Sequence, residues 1–103
     1  MGESNLEGWV TDFENQDIET WRRALEVNLT AIFHLIQGLV KKLKNSESAS
    51  IINVSSIYGM TAPDLSLYEG TDMGNPAAYA ASKGGLIQFT RWLSTVIAPP
   101  VRV

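Results

Sequence analysis

The sequence predicts an α/β fold built on a parallel sheet, and three observations lead there. The most strand-like run, Ile51-Ile52-Asn53-Val54, is short and β-branched, with apolar residues on successive rather than alternating positions. Such a strand is usually buried on both faces, as in a parallel sheet covered by helices. Long helical patterns lie on either side of it, and Val101-Arg102-Val103 opens a second strand. The order helix, strand, helix, strand implies right-handed crossover connections.

Residues 1–16 read as loop. Asp17 is a plausible N-cap for the first helix, with Glu19 in its first turn complementing the helix dipole. Apolar residues then recur at Trp21, Leu25, Leu29, Ile32, Ile36, Leu39 and Leu43, which predicts one long amphipathic helix ending at Lys41, Lys42 and Lys44. The polar break 45–48 precedes the strand. From Gly59 to Pro76 the chain carries glycine at 59, 70 and 74 and proline at 63 and 76, a loop longer than connection requires. The last helix is expected from Pro76 or Ala77 to Ile97, stopped by Pro99 and Pro100. One strong strand and the beginning of another leave sheet edges unpaired, at about 1–3 kcal/mol for each buried orphan group. The 103 residues are therefore expected to form a single partial domain rather than a folded monomer, with two apolar helix stripes seeking partners.

Eight basic residues against eleven acidic ones give a net charge of -3, so the footprint of a nucleic-acid partner is missing. There is no cysteine, which removes disulfides, thiolate metal sites and thiol nucleophiles, and His34 is the single histidine. His34 has no histidine or carboxylate within one turn, so packing or surface exposure is favoured over metal binding. The tryptophans Trp9, Trp21 and Trp92 are read as packing groups. No run is long and apolar enough to span a bilayer, and the opening residues lack the basic and apolar regions of a leader. The expectation is a soluble cytoplasmic protein with no membrane partner.

The chemistry centres on Tyr79-Ala80-Ala81-Ser82-Lys83. Four residues of helix put Tyr79 and Lys83 on one face, where an ammonium favours the ionised phenol and makes it a usable general acid or base. A Tyr-x-x-x-Lys pair alone also describes an ordinary helix with a solvated lysine. Two further features support the chemical reading. Ser55-Ser56 follows the buried strand, at the carboxyl end where open α/β sheets bind ligands. Asn28 lies inside the first helix's apolar stripe, so its amide points inward and needs a partner.

The segments WRRALEVNLTAIF (21–33), IINVSSIYG (51–59), AYAASKGG (78–85) and the terminal VRV resemble, in order, the short-chain dehydrogenase/reductase family. The resemblance implies part of a Rossmann-like doubly wound parallel sheet with helices on both faces. It also implies a catalytic group of Asn28, Ser56, Tyr79 and Lys83, working with NAD or NADP on an alcohol, ketone or sugar substrate. In that reading Tyr79 moves the proton, Ser56 holds the substrate oxygen, Lys83 tunes the tyrosine and grips the nicotinamide ribose, and Asn28 supports a water-linked proton path. Tyr79 and Lys83 are thus also the implied cofactor-binding residues. Ser55 is left as a structural hydroxyl, and Ser82 is expected to bond a backbone carbonyl of its own helix. The family's two long helices commonly form subunit interfaces, implying a homodimer or homotetramer for the full-length protein.

Two departures qualify the resemblance. The family's glycine-rich phosphate turn is not among these residues, so nothing here selects NAD over NADP. The spacing from Ser56 to Tyr79 is long because residues 61–76 are enlarged, as in extended members that act on nucleotide sugars. Asp64, Tyr68, Glu69, Thr71 and Asp72 of that loop offer hydroxyl-facing groups suited to a sugar-like polyol. A nucleotide-sugar epimerase or dehydratase, and a truncated non-catalytic interaction fragment, are the alternative readings.

Overall fold

The computed structural model describes residues 12–63, 66 and 76–103. Asp12 leads into a single 3-10 turn, Phe13–Asn15, within the stretch expected to be loop. Asp17 caps the first helix as expected: its backbone is extended and its carboxylate accepts from the Thr20 amide at 3.0 Å. The helix then runs to Lys44 in three pieces, α1 (Ile18–Leu25), a π-helical segment (Glu26–Thr30) and α2 (Ala31–Lys44). The π segment answers the spacing of the apolar residues. Steps of four from Trp21 to Leu25 to Leu29 overshoot a 3.6-residue turn by about 40° each time, and a wider turn absorbs that drift. The stripe consequently continues through half-buried Ile32, buried Ile36 and half-buried Val40 and Leu43, while Leu39, expected inward, is 41% exposed. Lys41, Lys42 and Lys44 sit at the negative end of the helix dipole.

Strand β1 (Ala49–Ser50) pairs in parallel with β2 (Val101–Arg102), with Ala49 opposite Val101 and Ser50 opposite Arg102. The Ile51 amide extends the ladder by donating to the Arg102 carbonyl at 2.7 Å. The regular strand therefore lies just before the expected Ile51–Val54 run. Among the described residues one face of that run is covered: Ile51 and Asn53 are half-buried, while Ile52 is 85% and Val54 77% exposed. Side chains alternate between faces along extended backbone, and α2 and α3 (Ala77–Ile97) both pack on the face that carries Ala49 and Val101. Of the two helical layers in a doubly wound sheet, the described residues hold one.

That face carries the main core: Ile36, Ala49, Leu93, Ile97 and Val101, flanked by Ile32, Val40, Leu43, Ile51, Phe89 and Val103. A smaller cluster joins Ala24 and Ala78 with Trp21 and Tyr79, fixing the start of α3 against α1. The radius of gyration is 16.2 Å, well above the roughly 13 Å of a compact domain of this length, as expected of long helices on a minimal sheet.

Candidate active site

The first turns of α3 are held from three directions. At the entry, Pro76 provides the N-cap, and the Ala77 amide donates to Oε1 of Gln16 at 3.3 Å. One turn in, Tyr79 is half-buried against α1, and Lys83 lies on the same helical face. The Lys83 ammonium stands 5.7 Å from the Tyr79 ring centroid, within cation–π range, and 3.5 Å from the Val54 carbonyl oxygen.

The carboxyl end of the strand is docked onto this turn. The Ser55 hydroxyl donates to the Lys83 carbonyl at 2.8 Å, which is the structural role expected of it. Ser56 is extended and caps a 3-10 turn, Ile57–Gly59, with Oγ accepting from the Tyr58 amide at 3.2 Å. That bond uses a lone pair of Oγ and not the hydroxyl hydrogen. Gly59 lies directly on the backbone of α3: a Cβ at this position would stand 2.7 Å from the Lys83 carbonyl carbon and 2.9 Å from the Gly84 nitrogen. The close approach admits no side chain.

The third hold comes from the π segment. Asn28 is 4% exposed, and its Nδ2 donates to the Ser82 hydroxyl at 3.1 Å. Ser82 is fully buried and donates in turn to the Tyr79 carbonyl at 3.0 Å, the helix carbonyl bond expected of it. The inward amide of Asn28 thus finds its partner in Ser82, and it meets the Tyr79–Lys83 turn through that hydroxyl.

Tyr79, Lys83, the strand end carrying Ser56, and Asn28 therefore gather around one turn of α3. Sequence reasoning did not find the second bond of Ser82, the Ser55–Lys83 contact or the seat of Gly59. A signal for Ser82 exists in the sequence: Ala78, Ser82 and Leu86 are spaced four apart and all buried, placing a hydroxyl in an inward stripe. The loop groups Asp64, Tyr68, Glu69, Thr71 and Asp72, and also Trp9, lie outside the described residues. His34 is exposed on α2, and no cluster of three or more metal-ligating side chains occurs among the described residues. No helix among them is long and apolar enough to cross a membrane. Trp21 packs in the small cluster, whereas Trp92 is 55% exposed and stacks on Phe89.

Comparison with known proteins places this arrangement in a family. The chain is similar to D-beta-hydroxybutyrate dehydrogenase of Rhizobium meliloti (strain 1021), 29% identical over 90 residues that make up 87% of this chain and 31% of that protein. It is 32% identical over 91 residues to cyclopentanol dehydrogenase of Comamonas testosteroni, again 87% of this chain and 31% of the relative. The chain thus spans about a third of the length of these relatives. Its fold matches the crystal structure of a short chain dehydrogenase from Shigella flexneri 2a str. 301 complexed with NADP, with a TM-score of 0.77 and 27% identity, covering 98% of this chain and 38% of that one. The family model for short chain dehydrogenases matches residues 6–103, and with nearly the whole sequence so covered, the chain belongs to the short-chain dehydrogenase/reductase family.

Proposed function

We propose that these residues are the catalytic section of an NAD(P)-dependent oxidoreductase, forming the C-terminal part of a dinucleotide-binding domain whose phosphate-binding half lies elsewhere in a full-length protein. The observation that carries the reading is the docking of the strand end onto the Tyr79–Lys83 turn, with the Ser55 hydroxyl 2.8 Å from the Lys83 carbonyl and the Lys83 ammonium 3.5 Å from the Val54 carbonyl. It sets hydroxyl, phenol and ammonium at the carboxyl end of a parallel strand, where such sheets bind ligands.

The residues present fit the nicotinamide-ribose end of a dinucleotide. The Lys83 ammonium has three donors, and among the described residues its one hydrogen-bond contact is the long one to the Val54 carbonyl, so donors remain for ribose hydroxyls. The pyrophosphate end has no counterpart here, and either NAD or NADP suits the residues that are present. A bound nicotinamide supplies or accepts the hydride. Tyr79 gives or takes the proton at the substrate oxygen, Ser56 donates a hydrogen bond to that oxygen, and Lys83 places positive charge beside the phenol as its charge changes. Asn28 holds the π segment against this turn and supports the water-linked proton path beyond Lys83.

The substrate class is a secondary alcohol or its ketone, in keeping with the names of the two relatives above. A sugar-like polyol would add contacts from the 61–76 loop. The full-length protein is a homo-oligomer in this reading, because α2 exposes Phe33, Leu35 and Leu39 and α3 exposes Trp92 and Val96, with Phe33, Phe89 and Trp92 in aromatic contact. The decisive experiment is Tyr79→Phe in the full-length protein, assayed with cyclopentanol, 3-hydroxybutyrate and their ketones under both cofactors. Loss of hydride transfer with an unchanged melting temperature is expected, since a single hydroxyl is removed. Turnover close to wild type would overturn the assignment.

A further inference from the structure

We infer that Ser82 is a positioning residue, whose buried hydroxyl aims the Tyr79–Lys83 pair by locking the first turns of α3 to the π segment; this rests on the catalytic reading above. The hydroxyl has one hydrogen and two lone pairs. Its hydrogen goes to the Tyr79 carbonyl at 3.0 Å, so towards Asn28, 3.1 Å away, it can only accept. The NH2 of Asn28 must therefore face Ser82, which fixes the amide's orientation. In regular helix the Tyr79 carbonyl also receives the amide of Lys83, four residues on. One carbonyl between the two reacting side chains thus carries both the helix bond and the link to Asn28.

Packing alone does not call for a hydroxyl at this place. Ser82 is 0% exposed, and its neighbours one turn away on the same stripe are Ala78 and Leu86, so alanine would fill the site by volume, and what it would leave unmet is the buried NH2 of Asn28. The approach of the two helices is also close here on separate evidence. At Gly85, a Cβ would stand 2.8 Å from Cδ2 of Leu29, the residue after Asn28. The tip of Leu29 lies over Gly85, and this apolar contact is less directional than a hydrogen bond. The directed bond from Asn28 to Ser82 acts with the Ser55–Lys83 and Gln16–Ala77 bonds to fix the rotation of α3, from the side of the π segment, and rotation of α3 is what would swing Tyr79 and Lys83 relative to Ser56. The π geometry of residues 26–30 presents Asn28 to this contact, as π turns often do at functional sites.

The test uses the full-length protein with the alcohol or ketone it turns over best. Ser82→Ala is expected to lower kcat roughly ten- to a hundredfold, as small displacements of reacting groups do, with a smaller rise in cofactor Kd because Lys83 shifts with Tyr79. Ser82→Thr keeps a hydroxyl and adds a methyl to a full site, so it is expected to melt lower yet retain more kcat than Ser82→Ala. Ser82→Cys fills the volume with a weak donor and should lose kcat with a near-normal melt, which keeps the test decisive if the alanine variant does not fold. Combining Ser82→Ala with Asn28→Ala should cost no more than Asn28→Ala alone, since the two act through one bond. An unchanged kcat in folded Ser82→Ala or Ser82→Cys, an equal kcat loss in the threonine and alanine variants, or additive effects would overturn the inference. Tyr79→Phe serves as the parallel control: if it is inactive while Ser82→Ala is unimpaired, only the positioning role fails, and if it is active the catalytic reading fails.

Discussion

Gly59→Ala should be among the most damaging one-methyl changes in this chain. The added Cβ would stand 2.7 Å from the Lys83 carbonyl carbon, 2.8 Å from its oxygen and 2.9 Å from the Gly84 nitrogen, and all three are backbone atoms that no rotamer change can move. A relaxed carbon contact is about 3.5 Å, so the 57–59 turn must withdraw from α3 by roughly 0.8 Å. If Ser55 follows, its 2.8 Å bond to the Lys83 carbonyl lengthens to about 3.6 Å and ceases to be a hydrogen bond. Overpacking of about 1–3 kcal/mol and a lost bond of about 1 kcal/mol give a destabilisation of roughly 2–4 kcal/mol. Ser56 moves with the turn, and a displacement approaching 1 Å lowers kcat by up to about a hundredfold. Denaturant melts and steady-state kinetics of the full-length protein read both effects, with Ser55→Ala as the comparison that removes only the bond. Wild-type stability and turnover in Gly59→Ala would show that the turn does not set the geometry of the site.

Asp17→Ala removes the carboxylate that accepts from the Thr20 amide and is expected to cost about 1 kcal/mol in a denaturant melt. Leu35→Glu, at a position 63% exposed on α2, and Trp92→Glu, 55% exposed on α3, put charge on the apolar face assigned to subunit contact. Each should shift the full-length protein towards smaller species in sedimentation velocity. An unchanged sedimentation coefficient in both variants would place the interface elsewhere.

What the sequence determined alone is local. A carboxylate before an apolar periodic run predicts the cap at Asp17, and prolines at 99 and 100 predict the end of α3 at Ile97, because both act on backbone groups within a turn of themselves. Four-residue spacing places Tyr79 and Lys83 on one face whatever surrounds them. The inward amide of Asn28 was legible for the same reason, as a polar residue inside an apolar stripe. The family too was legible, since its motifs are runs of neighbouring residues.

The tertiary structure decided what each of these groups meets. Asn28 and Ser82 are 54 residues apart, and Ser55 and Lys83 are 28 apart, so no periodicity in either segment carries the contact. The seat of Gly59 depends on the backbone of a different helix. The burial of Ile51–Val54 rests on the same ground. Composition states that a strand suits burial on two faces, but burial is a property of what packs there, and α2 and α3 both lie on the side of Ala49 and Val101. Spacing along one element is set by its own geometry, whereas a hydrogen bond or close contact between elements exists only once packing has brought them together.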